Sequence, residues 1–333
     1  MKSKKMMNKN DKIYVAGHKG MVGNAIVKNL KKNGFKNLLL VNKEQLDLTN
    51  RKEVFEWFEN FKPDVVVIAA AKVGGIFANN SYPVDFLLDN LKIQNNLIEC
   101  SFINNVKRLL FLGSSCIYPK FCNQPIKEDY LLGGSLEKTN EWYAIAKISG
   151  IKLCEALRKQ YGFDALSLMP TNLYGPGDNY NKNNSHVLPA LIRKFSEAVV
   201  NNQKEVTCWG TGLPKREFLH VDDLADACRF ALINWDLNSK SAPKYNNEPL
   251  TFLNVGSGKD ISIKELADIV AEKCKYHGNI IWDHSKPDGT PQKLLDVSKL
   301  RELGWEYEIE LDIGVEKTIQ SYKEELNENK IRI

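Results

Sequence analysis

Residues 12–32 have the sequence KIYVAGHKGMVGNAIVKNLKK, and their pattern predicts the fold class. A short apolar strand, Lys12 to Ala16, runs into three closely spaced glycines and then into a helix from Asn24 to Lys32. A glycine turn between a strand and a helix leaves the helix N-terminus open to a pyrophosphate. The GxxGxxG spacing differs from the usual GxGxxG, so the glycines could also serve only a tight turn. The order of strand, turn and helix favours phosphate binding.

Strands and helices alternate through the first half of the chain at a spacing typical of a doubly wound parallel sheet. After the opening strand and helix, the predicted strands are Asn37–Val41, Asp64–Ile68, Val106–Leu112 and Ala165–Met169, and the predicted helices are Glu53–Phe61, Pro83–Asn104 and Glu141–Tyr161. Ligands of such sheets bind beyond the carboxyl ends of the strands. Ser114, Ser115 and Cys116 directly follow one of these strands. We therefore expect an α/β protein with a Rossmann-type doubly wound parallel sheet and a ligand site at this edge.

The pattern changes after Leu173, where polar loops separate shorter strands and helices. We expect a flexible tail at residues 1–11, a dinucleotide-binding domain at 12–173, and a smaller α/β substrate-binding domain over most of 174–333. Some of this second half is expected to return to the first domain. The active site would then lie in the cleft between the domains. Residues 234–249 are polar and rich in asparagine, which is typical of a segment that tolerates insertion.

The composition is that of a globular protein and excludes several functions. With 333 residues, 43% hydrophobic and 26% charged, the chain is long enough for two domains with full cores. No apolar run is long enough to cross a membrane, and the Lys- and Asn-rich start is not a secretory signal. The net charge of +5 comes without a basic stripe, so no nucleic-acid partner is expected. Seven scattered cysteines without CxxC pairs indicate no metal site and a cytoplasmic protein.

Tyr143 and Lys147 lie four residues apart, so they share one face of their predicted helix. An ammonium about 5 Å from a tyrosine would lower the pKa of the hydroxyl by about two units. Tyr143 would then be a usable proton donor to a ketone oxygen whose carbon receives a hydride. With twelve tyrosines and abundant lysine, one such spacing is expected by chance, and a simple helix-surface contact is the alternative.

The residues after the second predicted strand bear on the choice of dinucleotide. NAD-selective folds place an Asp or Glu there to bind the ribose 2′-hydroxyl. In this chain Asn42 and Lys43 occupy that place, and Lys19 is available from the glycine loop. The two lysines suit a 2′-phosphate, which favours NADP, while the neighbouring Glu44 keeps NAD open.

Longer strings along the chain resemble those of a known family. The glycine loop GHKGMVG (17–23), the strand end GSSC (113–116) and Tyr143-xxx-Lys147, in this order, resemble the extended short-chain dehydrogenase/reductase superfamily. Further strings are AAAKVGGI (69–76), NNSYP (79–83), SSCIYPK (114–120), MPTNLYGP (169–176), NSH (184–186) and KPDGT (286–290). Together they resemble the GDP-L-fucose synthase family over residues 12–325, well beyond what chance supplies.

The resemblance implies an NADPH-dependent enzyme that epimerises C3 and C5 of GDP-4-keto-6-deoxy-D-mannose, reduces the C4 ketone to give GDP-L-fucose, and forms a homodimer. The catalytic residues it implies are Ser114, Cys116, Tyr143, Lys147 and His186, with Cys116 and His186 as the acid–base pair of the epimerisation. The NADP(H)-binding residues it implies are Gly17, His18, Lys19, Gly20, Met21, Val22, Gly23, Lys43, Leu112, Gly113, Ser114, Ser115, Lys147, Pro170, Thr171, Asn172, Leu173 and His186. The substrate-binding residues it implies are Lys194, Trp209, Arg216 and Asp288.

Plainer interpretations exist for several of these residues. Cys116 alone would be a buried structural thiol, and His186 alone a contact at the start of a helix. Lys194 stands where the family commonly has an arginine, which keeps the charge but not the bidentate geometry. The alternative functions are a sibling nucleotide-sugar epimerase or dehydratase and a non-catalytic dinucleotide sensor. The siblings lack the combination of SSC and NSH, and a sensor would be expected to lose the Tyr–Lys pair.

Overall fold

The computed structural model of the chain describes residues 6–182, 184–286 and 288–332, without the side chains of Ile76 and Phe77. Residues 1–5 of the predicted tail and Pro287 of the KPDGT motif lie outside the described residues. The helices are α1 (Met21–Lys32), α2 (Arg51–Phe61), α3 (Ile76–Ser81), α4 (Pro83–Ile103), α5 (Glu141–Tyr161), α6 (Val187–Val200), α7 (Val221–Asn234), α8 (Ile263–Cys274), α9 (Ser298–Glu302) and α10 (Leu311–Asn327). The strands are β1 (Ile13–Ala16), β2 (Leu38–Leu39), β3 (Val65–Ile68), β4 (Arg108–Leu112), β5 (Ala165–Pro170), β6 (Asn172–Tyr174), β7 (Glu205–Trp209), β8 (Lys215–His220), β9 (Lys244–Tyr245), β10 (Glu248–Pro249), β11 (Phe252–Val255), β12 (Asp260–Ser262), β13 (Asn279–Asp283) and β14 (Gln292–Lys293).

A six-stranded parallel sheet forms the framework of the first half. Its strand order is β2-β1-β3-β4-β5-β11, and every neighbouring pair is parallel. The inner strands β1, β3, β4 and β5 are fully buried and largely apolar, as expected for strands that are covered on both faces. The prediction of a Rossmann-type doubly wound sheet is confirmed. The glycine loop and the SSC segment follow β1 and β4, so they lie at the same edge of this sheet.

Helices cover both faces of the parallel sheet. On one face, α1 and α7 pack on a core that includes Ile13, Val15 and Leu110. On the other face, α2, α4 and α5 pack on a core that includes Tyr14 and Phe111. Because neighbouring strand residues point to opposite faces, each strand contributes to both cores. The edge of the sheet, rather than either face, is left for a ligand.

The start of the chain differs from its prediction. A flexible tail is expected at residues 1–11, but from Met7 onward the chain is packed, because the Met7 side chain is buried in the core beside α7. The Met7 N–H donates to the Leu232 carbonyl at 3.0 Å. Asp11 pairs with Lys107 at 2.7 Å in a largely buried contact. An apolar side chain and one ion pair therefore fix this segment to the sheet domain.

The second half forms a smaller α/β unit. The strands β12, β8 and β14 form one sheet, with β6 alongside β8, and β7 pairs with β13. Helices α6, α8 and α10 pack on these strands around a third core that includes Phe195, Leu266 and Ile319. Two segments return to the first sheet, since α7 packs on α1 and β11 becomes the sixth strand. The division of the chain at residue 173 stays a prediction.

Membrane spans and metal centres are absent from the described part of the chain. No helix within it has an apolar stretch long enough to cross a bilayer. Over the same residues, no three His, Cys, Asp or Glu side chains are placed to hold a metal ion. All seven cysteines belong to this part, and each is a free thiol.

Candidate active site

The glycine loop leaves the N-terminus of α1 open to an anion. Gly17 has φ of +84°, and a Cβ there would lie 2.7 Å from the Ala70 backbone nitrogen. A Cβ on Gly23 would overlap the Gly17 carbonyl. α1 begins after Gly20 without a side-chain cap and without an acidic residue in its first turn. The first amides of the helix, beginning at Met21 and Val22, therefore fit a pyrophosphate.

Two lysines lie between this loop and the end of β2. Lys19 and Lys43 are both exposed. The His18 side chain shares a hydrogen bond with Asn42, which joins the glycine loop to the residues after β2. Burial and the Lys19 charge lower the pKa of His18, so its imidazole adds no charge at neutral pH. The positive charge here comes from Lys19 and Lys43, since His18 is neutral. Two such ammonium groups fit a phosphate on the ribose.

The end of β4 carries two of the predicted catalytic residues, Ser114 and Cys116. Gly113 packs closely on Met169, since a Cβ there would overlap the methionine sulfur. Ser114 precedes a 3-10 turn of Ser115–Ile117, and its Oγ accepts a hydrogen bond from the Cys116 N–H at 3.4 Å. Ser114 is partly exposed, whereas Ser115 and Cys116 are buried. Ser114 is therefore the member of this segment that solvent or a ligand can reach.

The residues after β5 make structural hydrogen bonds that the sequence does not indicate. The side chains of Thr171 and Asn172 donate to the Glu217 carbonyl at 3.2 Å and 2.8 Å. The Thr171 N–H donates to the Val255 carbonyl at 3.0 Å. Pro170 and Leu173 flank these two residues in β5 and β6. The side chains of this segment thus join it to β8, and its remaining backbone groups are what a cofactor could contact.

Lys147 lies inside the protein under the end of β4. Its side chain is buried, and its Nζ donates to the Leu112 carbonyl at 2.8 Å. The same Nζ lies 4.8 Å from the ring centroid of Phe111 and 5.7 Å from that of Tyr143. Burial lowers the pKa of Lys147 to about 8, against the opposing effect of Cys116. Lys147 is therefore mostly charged at neutral pH and loses its charge in mild alkali.

Tyr143 is half-buried, and its ring meets Phe86 edge-on with 6.5 Å between the centroids. Burial raises the pKa of Tyr143, and Cys116 raises it further. The predicted lowering of this pKa by Lys147 is therefore wrong. The Lys147 ammonium lies over the tyrosine ring and binds the Leu112 carbonyl, so its charge does not outweigh the burial. The Tyr143 hydroxyl keeps its proton throughout the neutral range.

Cys116 is the acid–base candidate that the structure places beside the Tyr–Lys pair. Its thiol is 8% exposed and is close enough to Tyr143 and Lys147 to perturb the pKa of each. Burial raises the pKa of Cys116, while Lys293, a hydrogen bond with Ser114 and Lys147 lower it. The thiol lines a cavity of about 40 Å³. A group able to transfer protons thus adjoins the groups suited to reduce a ketone.

His186 occupies the N-cap position of α6. The residue lies at the surface, but protein packed around its imidazole disfavours the charged form and lowers its pKa. The loop before it is held by Asn184, whose carbonyl accepts from the Gly75 N–H at 3.0 Å. Gly75 begins α3, and α3 packs against the Lys138–Asn140 turn at the start of the Tyr143 helix. His186 is therefore tied to the Tyr143 helix through two loops.

An exposed tryptophan with two lysines lies on the second half. Trp209 is 65% exposed at the end of β7. The Lys194 Nζ lies 5.6 Å and the Lys286 Nζ 5.7 Å from the tryptophan ring. Lys194 also donates to the Thr207 carbonyl at 2.8 Å. An exposed aromatic ring with two ammonium groups close to it fits a purine base joined to phosphates.

Arg216 and Asp288 extend this surface toward the cleft. Arg216 is half-buried on β8 and lies against Gly289, where a Cβ would be 2.9 Å from its Nη2. Burial lowers the pKa of Arg216, and Asp288 opposes that effect. Asp288 accepts two hydrogen bonds from Thr211, at 2.9 Å and 2.7 Å. The Arg216 Nη1 donates to the Lys215 carbonyl at 2.7 Å, and a guanidinium of this kind fits a diphosphate.

The sequence predictions omit two lysines of this region. Lys286 stands beside Trp209, and Lys293 lines the cavity that contains Cys116. Lys286 opens the KPDGT motif and Lys293 follows it by three residues, so the motif gave a local indication of both. The direction of the Lys293 side chain follows from the pairing of β14 with β8, which no local pattern indicates.

Comparisons with known proteins agree with this geometry. Residues 13–246 match the model of the NAD dependent epimerase/dehydratase family. GDP-L-fucose synthase 1 of Arabidopsis thaliana is 55% identical over 95% of this chain and 94% of that protein, and the GDP-L-fucose synthase of Escherichia coli (strain K12) is 49% identical over 96% of this chain and 98% of that protein. The crystal structure of a GDP-L-fucose synthetase from Naegleria fowleri bound to NADP has a TM-score of 0.85 with this chain at 26% identity, covering 98% of each chain. The chain therefore belongs to the NAD dependent epimerase/dehydratase family.

Proposed function

We propose that this chain converts GDP-4-keto-6-deoxy-D-mannose into GDP-L-fucose, by epimerisation at C3 and C5 followed by NADPH-dependent reduction of the C4 ketone. Relatives that are 55% and 49% identical over nearly the whole chain are GDP-L-fucose synthases. The observation that carries the proposal is the Cys116 thiol beside Tyr143 and Lys147. A simple ketone reductase needs only the Tyr–Lys pair, whereas an epimerase also needs a group that removes a proton from carbon.

NADP(H) is the cofactor that the chain's own residues fit. The uncapped N-terminus of α1 would bind the pyrophosphate, and Gly17 lets the preceding turn lie directly against the Ala70 backbone. Lys19 and Lys43 would bind the 2′-phosphate, and Lys147 would hold the nicotinamide ribose. The Naegleria fowleri relative was solved with NADP bound. When bound, NADPH supplies the hydride for C4.

One carbonyl serves both epimerisations, because C3 and C5 each flank the C4 ketone. The hydroxyls of Ser114 and Tyr143 would hold the C4 oxygen while enolate charge develops on it, and one such donor is worth about 10²–10³ in rate. Cys116 and His186 would exchange protons with the two carbons from opposite faces of the sugar. The lowered pKa of His186 keeps its imidazole ready to accept a proton at neutral pH.

The same oxygen is then protonated as C4 is reduced. Tyr143 still holds its proton at neutral pH, because burial raises its pKa. The Lys147 ammonium near the ring would stabilise the tyrosinate that remains after the proton has moved. The resting Tyr–Lys pair is therefore in the protonation state that reduction requires.

The nucleotide would lie on the second half of the chain. Trp209 would stack on the guanine, with Lys194 and Arg216 on the diphosphate. Asp288 would orient Arg216 and the Thr211 turn. The sugar would then lie between the nucleotide surface and the edge of the parallel sheet, beside the cavity that Cys116 lines.

The proposal is tested with enzymatically prepared GDP-4-keto-6-deoxy-D-mannose in D₂O. We expect oxidation of NADPH, slower use of NADH, and a fucose-configured product that carries deuterium at C3 and C5. Cys116→Ser should lose deuterium incorporation while it still binds NADPH. NADPH fluorescence and nuclear magnetic resonance of the product measure these quantities.

Cys274→Ser is the matched control for the thiol. Cys274 lies in the third core beside Ser196, away from the cleft, so its substitution should leave deuterium incorporation unchanged. If folded, NADPH-binding protein leaves this substrate untouched, the assignment fails and the sibling epimerases and dehydratases become the candidates. If the protein binds NADPH but acts on no nucleotide-sugar, a non-catalytic dinucleotide sensor is the remaining hypothesis.

We also propose a homodimer formed through α4 and α5. These helices pack side by side and expose Val84, Leu88, Trp142 and Ile145. Apolar side chains on adjacent helices are what a second copy would cover by two-fold symmetry. Leu88→Glu should shift the sedimentation of the protein from dimer to monomer, and an unchanged dimer would contradict this interface.

A cytoplasmic location completes the proposal. All seven cysteines are free thiols, which is typical of a reducing compartment. Fractionation of the source cells with an antibody against the chain tests this location, and recovery from an oxidising compartment would contradict it.

A further inference from the structure

Lys293 lies where the second half of the chain meets the Cys116 site. It belongs to β14, which pairs in parallel with β8, so that Lys293 lies opposite Arg216. Paired residues of neighbouring strands point to the same face of a sheet. The Lys293 side chain and the Cys116 thiol line the same small cavity, together with Glu137 and Thr290. A cation from the nucleotide-binding half therefore faces a thiol from the sheet domain.

The Lys293 ammonium is not neutralised by a partner. Within the described ranges, no hydrogen bond or ion pair engages it. Glu137, the carboxylate on the cavity wall, is already paired with Lys120 at 2.8 Å and accepts from Thr139. Burial lowers the pKa of Lys293, and Cys116 is the largest influence that opposes this fall. The like charge of Arg216 lowers the pKa further, whereas Cys122 and Glu137 raise it. The cavity is thus lined by a lysine that has no ion-pair partner among the described residues and by Cys116, whose thiolate would be a suitable partner for it.

Cys116 is a buried thiol that requires a nearby cation to ionise. Burial raises its pKa, and the groups that lower it are, in order, Lys293, Ser114 and Lys147. Tyr143, the other titratable group beside it, is neutral in the working range. The Lys147 ammonium is already bound to the Leu112 carbonyl. Of the two lysines, Lys293 therefore has the larger effect on the sulfur, while the Lys147 ammonium is held at the Leu112 carbonyl.

We propose that Lys293 is the counter-ion of the Cys116 thiolate and sets the fraction of the enzyme that can begin epimerisation. The inference rests on the proposed function, because it assigns Cys116 the removal of a proton from carbon. In that step an S–H bond forms as the C–H bond breaks, and the C–H electron pair moves onto the C4 oxygen. Lys293 keeps its own proton and acts through Cys116, so it is a positioning residue.

A second role for Lys293 predicts different results. Since Lys293 is adjacent to Arg216, it could bind the diphosphate instead. Loss of a diphosphate contact would raise KM and leave the free thiol unchanged. Loss of a counter-ion raises the pKa of Cys116 before any substrate is bound.

The decisive measurement is the ultraviolet absorbance of the Cys116 thiolate as a function of pH, in the whole protein without substrate. The Cys116 signal is the difference between each protein and the same protein with Cys116→Ser. We expect Lys293→Gln to raise the midpoint of the titration by about one unit or more, and Lys293→Arg to restore most of the shift. Deuterium exchange at C3 and C5 should fall about ten-fold at neutral pH in Lys293→Gln and recover in alkali. Lys293→Met replaces Lys293→Gln if the amide impairs folding.

Lys215→Gln is the matched control. Lys215 precedes Arg216 on β8, is exposed, and pairs with Gln292. The control substitution therefore removes a lysine from the opposite face of the same strand pair. Its titration should equal that of the parent protein. An unchanged midpoint in Lys293→Gln, or a change in KM alone, overturns the counter-ion role. A normal Cys116 titration in a parent protein that leaves GDP-4-keto-6-deoxy-D-mannose unchanged would overturn the proposed function instead.

Discussion

The Tyr143 hydroxyl has to keep its proton until charge develops on the ketone oxygen, and then release it. Burial raises its pKa, which prevents early loss of the proton. In the proposed reduction, Lys147, with its Nζ 5.7 Å from the ring centroid, would stabilise the tyrosinate after the transfer. Burial and the lysine therefore act at different stages, and a single resting pKa does not describe the pair.

Tyr143→Phe should lower the rate of NADPH oxidation about 10²–10⁴-fold, because the ring keeps its contact with Phe86 while the proton donor is lost. Deuterium exchange at C3 and C5 should fall less, since Ser114 still holds the C4 oxygen. Single-turnover measurements separate the two steps. Tyr161→Phe changes an exposed tyrosine at the end of the same helix and should leave both rates intact. Equal losses in both steps would contradict a specific role of Tyr143 in reduction.

The lowered pKa of Lys147 predicts that the rate of reduction falls at alkaline pH. Burial lowers its pKa from 10.5 to about 8, so the ammonium is present below that pH and is lost above it. The reduction rate should therefore fall as the pH rises through about 8. Lys147→Arg stays charged throughout, so any activity it retains should decline only at higher pH. A pH–rate profile with no fall in the parent enzyme would show that the charge of Lys147 is not required.

At the scale of elements, the turn between β1 and α1 depends most on single residues. Gly17→Ala should weaken NADPH binding by at least about ten-fold, because the residue has φ of +84° and its Cβ would meet the Ala70 backbone. Gly162→Ala separates the strain of a positive φ from the close backbone contact, since φ at Gly162 is +69° but a Cβ there would meet nothing within 4 Å. It should lower Tm slightly and leave NADPH affinity unchanged. Fluorescence titration with NADPH measures both, and equal losses of affinity would rule out the close approach as the cause.

Elements with local determinants were predictable from the sequence. Pro83 marks the first turn of α4, and the observed Pro83–Ile103 ends one residue before the predicted end. α2 begins earlier than predicted because Asn50 caps it, accepting hydrogen bonds from Lys52 and Glu53. β2 is shorter than its apolar run, since only Leu38 and Leu39 pair with β1 at the edge of the sheet. Hydrophobic runs thus predict that an element exists, while caps and pairing decide its length.

At the scale of the whole molecule, long-range pairing decides what local patterns leave open. Lys293 reaches the Cys116 cavity because β14 pairs with β8. Met7 is buried because α7 returns to the first sheet. The pKa of Tyr143 rises because other elements bury it, which a calculation from the Tyr–Lys spacing omits. The motifs predict which residues carry the chemistry of the candidate site, and that assignment stays a prediction, whereas the protonation states of these residues depend on burial by other elements.

Asp178 links the stability of the whole chain to pH. Its Oδ1 accepts the Asn179 N–H at 2.7 Å, and its Oδ2 has no hydrogen-bond partner among the described residues. Burial raises the pKa of this carboxyl from 3.8 to about 7, and the Glu325 carboxylate from the last helix adds to the rise. The folded chain therefore holds a proton that the unfolded chain releases above its ordinary pKa. It follows that the free energy of unfolding falls as the pH rises from about 4 to about 7.

Asp178→Asn should remove this dependence. The neutral side chain keeps an oxygen for the Asn179 N–H and offers a donor toward Glu325, whose Oε2 has no partner within the described ranges. The gain in stability over the parent should grow by about 1.4 kcal/mol per pH unit between the two pKa values and then stay constant. Thermal unfolding at a series of pH values measures it, with the exposed Asp268→Asn on α8 as the control that should show no such growth. A gain that does not change with pH would mean that Asp178 is ionised in the folded chain, and that the ion pair it would then require with Arg332 outweighs its burial.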